Sequence, residues 1–146
     1  MAWSGFNGLI HSKNPLFKLI FRMYVKLSGS DIPSCCKIGK NVQFPHGIKG
    51  IIFSTNTIVE DNVTIYHQVT CGRGDIFPKS DSLPVKGIIL KKGSILCAGA
   101  KIICNRGLLV VGENTVVGAN AVLTCSTGDN EIWGGIPAKK LKDRKM

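Results

Sequence analysis

Val59-Glu60-Asp61-Asn62-Val63-Thr64, running on into Ile65-Tyr66-His67-Gln68-Val69-Thr70 and Cys71-Gly72, is the stretch on which the fold turns. Aliphatic residues return every six positions, each followed by a small or polar residue and then a turn-forming pair. The same pattern recurs in Ile38-Gly39-Lys40-Asn41-Val42-Gln43 leading to Phe44. It returns in Leu90-Lys91-Lys92-Gly93-Ser94-Ile95 leading to Leu96-Cys97-Ala98-Gly99-Ala100-Lys101 and Ile102. A fourth instance is Val111-Gly112-Glu113-Asn114-Thr115-Val116 leading to Val117-Gly118-Ala119-Asn120-Ala121-Val122 and Leu123. A period of six belongs neither to a helix nor to an alternating strand, so it marks an internal repeat.

Each unit predicts a short strand plus a tight turn, and three units close one triangular coil of eighteen residues. The aliphatic side chain points inward and stacks on its equivalent one coil above. The next position sits at a crowded corner, which accounts for Gly39, Gly112, Gly118 and the small Cys97. The pairs Lys40-Asn41, Asp61-Asn62, Lys92-Gly93 and Glu113-Asn114 supply residues that tolerate left-handed backbone. The expected class is all-β, a parallel solenoid whose open ends need a helix and a tail to cover them.

The first thirty residues read differently. Apolar residues at 16, 19, 20, 23 and 27 have helical spacing. Asn14 suits the N-cap, Pro15 the first turn and Gly29 the end. Lys18, Arg22 and Lys26 form a basic stripe, so the helix either packs on the main body or touches a membrane surface or a subunit neighbour. The expected organisation is a helical segment over 1–30, the repeat domain over 31–140 and a basic tail over 141–146.

The 146 residues carry 19 Lys+Arg against 9 Asp+Glu, a net charge of +10. That excess implies an anionic partner, yet no basic–aromatic patch or helix-turn-helix pattern points to nucleic acid. With 44% hydrophobic residues the chain is no disordered polymer. The six Cys lack C-x-x-C pairs and no signal peptide is evident, so the expected setting is the reducing cytoplasm, including the inner face of the membrane. No apolar run reaches the length of a spanning helix.

The repeat breaks at Pro45-His46-Gly47-Ile48-Lys49-Gly50, between Gly72 and Gly87, and at Asn105-Arg106-Gly107. Insertions in a solenoid project as loops, commonly on the functional face. Hydrolase, zincin, phosphate-loop and dinucleotide motifs are missing, and His11, His46 and His67 have no metal-ligand spacing, so no metal is expected. His46 is the candidate general base, because an imidazole can take a proton from an alcohol as that oxygen attacks an acyl carbon. Such a base needs a partner on its other ring nitrogen. Asp31, fifteen residues upstream, falls in the coil below, one turn less three residues, which brings it near His46 at the adjacent corner. His67 either faces the site from another coil or lies on the outer face, the reading preferred here. The Cys residues, Cys35 and Cys36 included, read as small hydrophobes.

The run Asp31-Ile32, Ile38-Gly39-Lys40, Phe44-Pro45-His46-Gly47, Val63 to Thr70 and Gly72 resembles the catalytic domain of bacterial serine acetyltransferases. Leu96-Cys97-Ala98-Gly99-Ala100-Lys101-Ile102 and Gly134-Gly135-Ile136-Pro137-Ala138-Lys139 match the same family, so the resemblance covers about residues 31 to 140. It implies a left-handed parallel β-helix, a homotrimer and acetyl-CoA as acyl donor. It also implies that His46 is the general base and Asp31 its orienting carboxylate.

The chain departs from that family in three places. The long N-terminal helical domain has no counterpart beyond one short helix. Pro45 stands where the family has an acidic residue before the catalytic His. Ser82-Leu83-Pro84 stands where the family has an Arg-His pair before a Pro. In these respects the chain is similar to shorter relatives of capsule, lipopolysaccharide or exopolysaccharide biosynthesis. The expected acceptor is therefore a sugar hydroxyl, with L-serine as the alternative and a non-catalytic β-helix scaffold as a third reading. For the donor, the small residues Gly72, Ala98, Gly99 and Ala119 would let the pantetheine arm approach backbone amides in a groove between subunits. Lys139, with Lys140, Lys101 and Arg106 as further cations, would meet the phosphates as point charges.

Overall fold

A computed structural model describes residues 12–75 and 83–145. His11 and the Ser80-Asp81-Ser82 part of the second break lie outside the described residues. Helix α1 spans Pro15–Leu27, with Asn14 accepting from the Leu16 amide at 2.9 Å and Pro15 in its first turn. Its last turn gives way to Gly29 in the left-handed region.

Among the described residues thirteen short strands follow, and the first twelve wind into three parallel faces. Strands β1 (Lys37–Ile38), β3 (Thr57–Val59), β6 (Val85–Leu90) and β9 (Gly107–Val111) form one face. A second holds β2 (Ile52–Phe53), β5 (Thr70–Arg73), β8 (Lys101–Cys104) and β11 (Val122–Leu123). The third holds β4 (Thr64–Ile65), β7 (Ile95–Leu96), β10 (Val116–Val117) and β12 (Glu131–Gly134), closed by the antiparallel β13 (Lys139–Asp143). Consecutive coils therefore stack in parallel, and the architecture is a left-handed parallel β-helix.

Registers show why the core is continuous. Phe53, Cys71, Ile102 and Leu123 lie above one another on one face; Val59, Leu90 and Val111 on the next; Ile65, Leu96 and Val117 on the third. All of them are buried. Each fully buried aliphatic side chain contributes about 2 kcal/mol of transfer free energy. The corner residues behave as their chemistry requires: Asn41, Asn62, Gly93 and Asn114 all have φ between 53° and 68°. At Gly39, a Cβ would sit 2.6 Å from the Asp61 carboxylate and the Glu60 backbone, so the tight corner excludes any side chain.

The steps between coils are uneven, and that unevenness builds the site. Ile52 pairs with Thr70, a bare turn of three six-residue units. Gln43 pairs instead with Thr64, three positions beyond a bare turn. The added positions lie between Gln43 and Ile52, at the Pro45-His46-Gly47 break. The step from Thr70 to Lys101 is longer still, because it carries the excursion between β5 and β6. Lys101 to Val122 matches the Gln43-to-Thr64 step, with its added positions at Asn105-Arg106-Gly107.

Candidate active site

His46 stands at the tip of a short overhang pinned at both ends. Phe44 and Ile48 are fully buried, and between them Pro45 and Gly47 bridge while the Gly47 amide donates to the Phe44 carbonyl at 3.0 Å. Gly47 has φ +70°, and a Cβ there would meet the Tyr24 hydroxyl of α1 at 3.1 Å. Two anchors and a tight turn leave the imidazole exposed.

Directly above it, Tyr66 and His67 turn the corner of the next coil. The His46 and His67 ring centroids are 5.4 Å apart at 78°, an edge-to-face contact, and Tyr66 is 5.7 Å away. His67 is thus half-buried against His46, which corrects the expectation of an outer, solvated residue. Its Nδ1 is buried with no hydrogen-bond partner among the described residues. The sequence holds a signal for this contact. His46 and His67 have the same separation as Gln43 and Thr64, which counting in even turns of eighteen hides.

The same edge continues upward. The Gly99 amide donates to the His67 carbonyl at 3.0 Å, and the Asn120 amide donates to the Ala98 carbonyl at 2.9 Å. Ala98, Gly99 and Ala119 are therefore stacked over His67, and Gly99 takes φ +71°. Lys101 Nζ donates to the carbonyls of Gln68 and Gly99, both at 2.8 Å, tying that corner together. Lys139 lies opposite Gly134 at the top, exposed. Lys140 instead pairs with Asp143 at 2.7 Å and Glu131 at 2.9 Å, which push its ammonium up to about 12.

Asp31 comes off α1 beside the return arm of the overhang. Its amide donates to the Ile51 carbonyl at 2.9 Å, its carbonyl accepts from Phe53 at 2.8 Å, and Ser30 Oγ donates to the Ile48 carbonyl. Among the described residues no hydrogen bond joins its side chain to His46. Asp31 also lines a cleft of about 630 Å³ between α1 and the first coil. Gly72 is elsewhere, on β5 opposite Ile103, at the foot of the long excursion. Arg106 lines a separate cleft of about 410 Å³ beside Cys104 and Cys125. Within one chain, the His46 overhang and the two ends of the long excursion, at β5 and β6, thus lie at different edges of the prism.

Coils of this geometry, with turns of three six-residue units and loops thrown out at the corners, define a hexapeptide-repeat β-helix. No family model matches the chain. The serine acetyltransferase of Helicobacter pylori is 34% identical over 119 residues, 81% of this chain and 64% of that protein. That of Haemophilus influenzae is 30% identical over 120 residues, 79% of this chain and 40% of that protein. A crystal structure of the Brucella abortus strain S19 serine acetyltransferase in complex with coenzyme A superposes with a TM-score of 0.73 at 25% identity. The match covers 89% of this chain and 48% of that one. The chain spans less than two thirds of the length of these curated relatives.

Proposed function

We propose that this chain is an acetyl-CoA-dependent O-acetyltransferase with His46 as general base. One observation carries the reading: an exposed imidazole, held at a pinned tip, shares one edge with the small-residue corners at Ala98, Gly99 and Ala119. The acceptor hydroxyl oxygen attacks the thioester carbonyl carbon while its proton passes to His46. The tetrahedral oxyanion then collapses, the carbon–sulfur bond breaks, and the thiolate of coenzyme A takes the proton back from the imidazolium. No acyl-enzyme is required. Asp31 is the proposed orienting carboxylate for the ring, reaching it from the segment beside the overhang.

The donor arm is proposed to lie along the edge from His67 to Gly134. Three coil steps at about 4.8 Å give roughly 14 Å of extended surface, with Lys139 at its far end for the phosphates. Gly72 and the long excursion belong to another edge of the same chain. A homotrimer, in which one subunit's excursion stands beside the next subunit's His46, would bring them into one site.

The acceptor best supported is L-serine, because the curated relatives above are serine acetyltransferases. A saccharide hydroxyl retains a specific observation of its own: Pro45 before His46 and Ser82-Leu83-Pro84 depart from the acidic residue and the Arg-His pair that the resemblance to serine acetyltransferases implies at those places. Release of free thiol from acetyl-CoA, measured with L-serine and with a panel of sugars, separates the two. His46→Ala should lower the rate by about 10² to 10⁴ while coenzyme A still raises the thermal midpoint. Near-full turnover in that variant sinks the base assignment, and no turnover with any acceptor favours the scaffold reading.

A further inference from the structure

Helix α1 carries two features that the solenoid does not use. Leu16, Leu19, Ile20, Met23 and Leu27 fall on one helical face and are 44 to 84% exposed. The helix docks through its opposite side, where Val25 is buried and Phe21 and Tyr24 pack on the core. Between the two faces run Lys18, Arg22 and Lys26, one per turn, along the rim of the cleft above Asp31. Residues 12–30 contain these three cations and Lys13, and no acidic residue.

An apolar face beside a cationic flank suits a surface that is both oily and negative. Two copies of this face brought together would set four cations against four, with no carboxylate in the segment to pair them. A layer of anionic headgroups over acyl chains satisfies both parts at once. At thirteen residues the helix is about 20 Å long. Among the described residues, no helix is long and apolar enough to cross a membrane. Its pattern is that of a helix lying in the interface plane.

We propose that α1 seats this protein on an anionic bilayer. Leu16, Leu19, Ile20, Met23 and Leu27 enter the boundary between headgroups and acyl chains, and Lys18, Arg22 and Lys26 hold the headgroups. The proposal stands independently of acetyl transfer, since it uses no residue of that site.

Co-sedimentation of the full chain with vesicles of phosphatidylcholine alone, or of phosphatidylcholine mixed with phosphatidylglycerol, tests it. Binding is expected to the mixed vesicles only and should weaken as salt is raised. Lys18→Gln with Arg22→Gln should weaken it about fivefold per cation removed. Ile20→Ser with Met23→Ser should weaken it about tenfold or more. All four side chains are exposed, so helix content and thermal midpoint should match the parent. Three results overturn the proposal: no binding of the parent to the mixed vesicles, unchanged binding of the Ile20/Met23 variant, or a change in that variant's oligomer mass. The last would assign the face to a second copy of the chain.

Discussion

The contact between His46 and His67 illustrates how a single side chain acquires a role from its neighbours. His46 is exposed because Phe44 and Ile48 bury themselves on either side of it, and an unsupported imidazole on such a tip would rotate. The His67 ring meets it edge to face at 5.4 Å, and such pairs contribute about 0.5–1.5 kcal/mol beyond area burial. His67 is then a positioning residue for the proposed base. His67→Ala should lower the turnover rate about tenfold, with little change in affinity for coenzyme A. His67→Phe should recover most of that rate, because it restores the ring without the nitrogens. Steady-state kinetics with matched thermal midpoints check both. A buried nitrogen without a partner normally costs free energy, and its position beside the proposed base is the reason to look for function there.

Among the elements, the β12–β13 hairpin shows how the solenoid manages its upper end. A parallel coil ends in a row of unpaired backbone groups, and β13 turns back antiparallel to cover β12. Glu131 organises this cap by accepting from the Gly128 amide at 2.7 Å, from Trp133 Nε1 at 2.8 Å and from Lys140. Lys140 and Trp133 hold its carboxyl below the usual range. A carboxyl depressed on folding contributes stability above its unfolded value, and that contribution is lost as pH falls through the folded one. The cap should therefore loosen in acid. Glu131→Gln should lower the thermal midpoint near neutral pH and flatten its decline at low pH. Parallel melts across that range read out the difference; identical slopes for parent and variant would contradict the assignment.

For the molecule as a whole, stability resides in three stacked columns, and each coil touches only its neighbours. Leu96 lies at mid-height between Ile65 and Val117 and is fully buried. Leu96→Ala opens a cavity that both neighbouring coils share, at an expected cost of about 2–5 kcal/mol. Urea unfolding followed by circular dichroism checks it; a loss below about 1 kcal/mol, on the order of a surface change, would mean that the columns do not carry the fold. At this scale the coil steps also distribute chemistry. The bare turn keeps the columns in register, while the lengthened steps throw loops out at two different edges.

Much of the architecture was legible in the chain itself, because a period of six has one simple packing solution and each corner needs its own residue type. The left-handed Asn41, Asn62 and Asn114, the crowded Gly39 and the Asn14-Pro15 start of α1 are local consequences of local chemistry. What lies above what is different, since it depends on how many residues each corner adds. The added positions at the overhang set His46 beneath His67, a pairing that an even eighteen-residue count conceals. Gly72 follows His67 by five residues, across β5, and so falls on another edge from Ala98, although both read as donor-site residues in sequence. Periodicity determined the coil; the lengths of its interruptions, resolved only in three dimensions, decided which side chains share an edge.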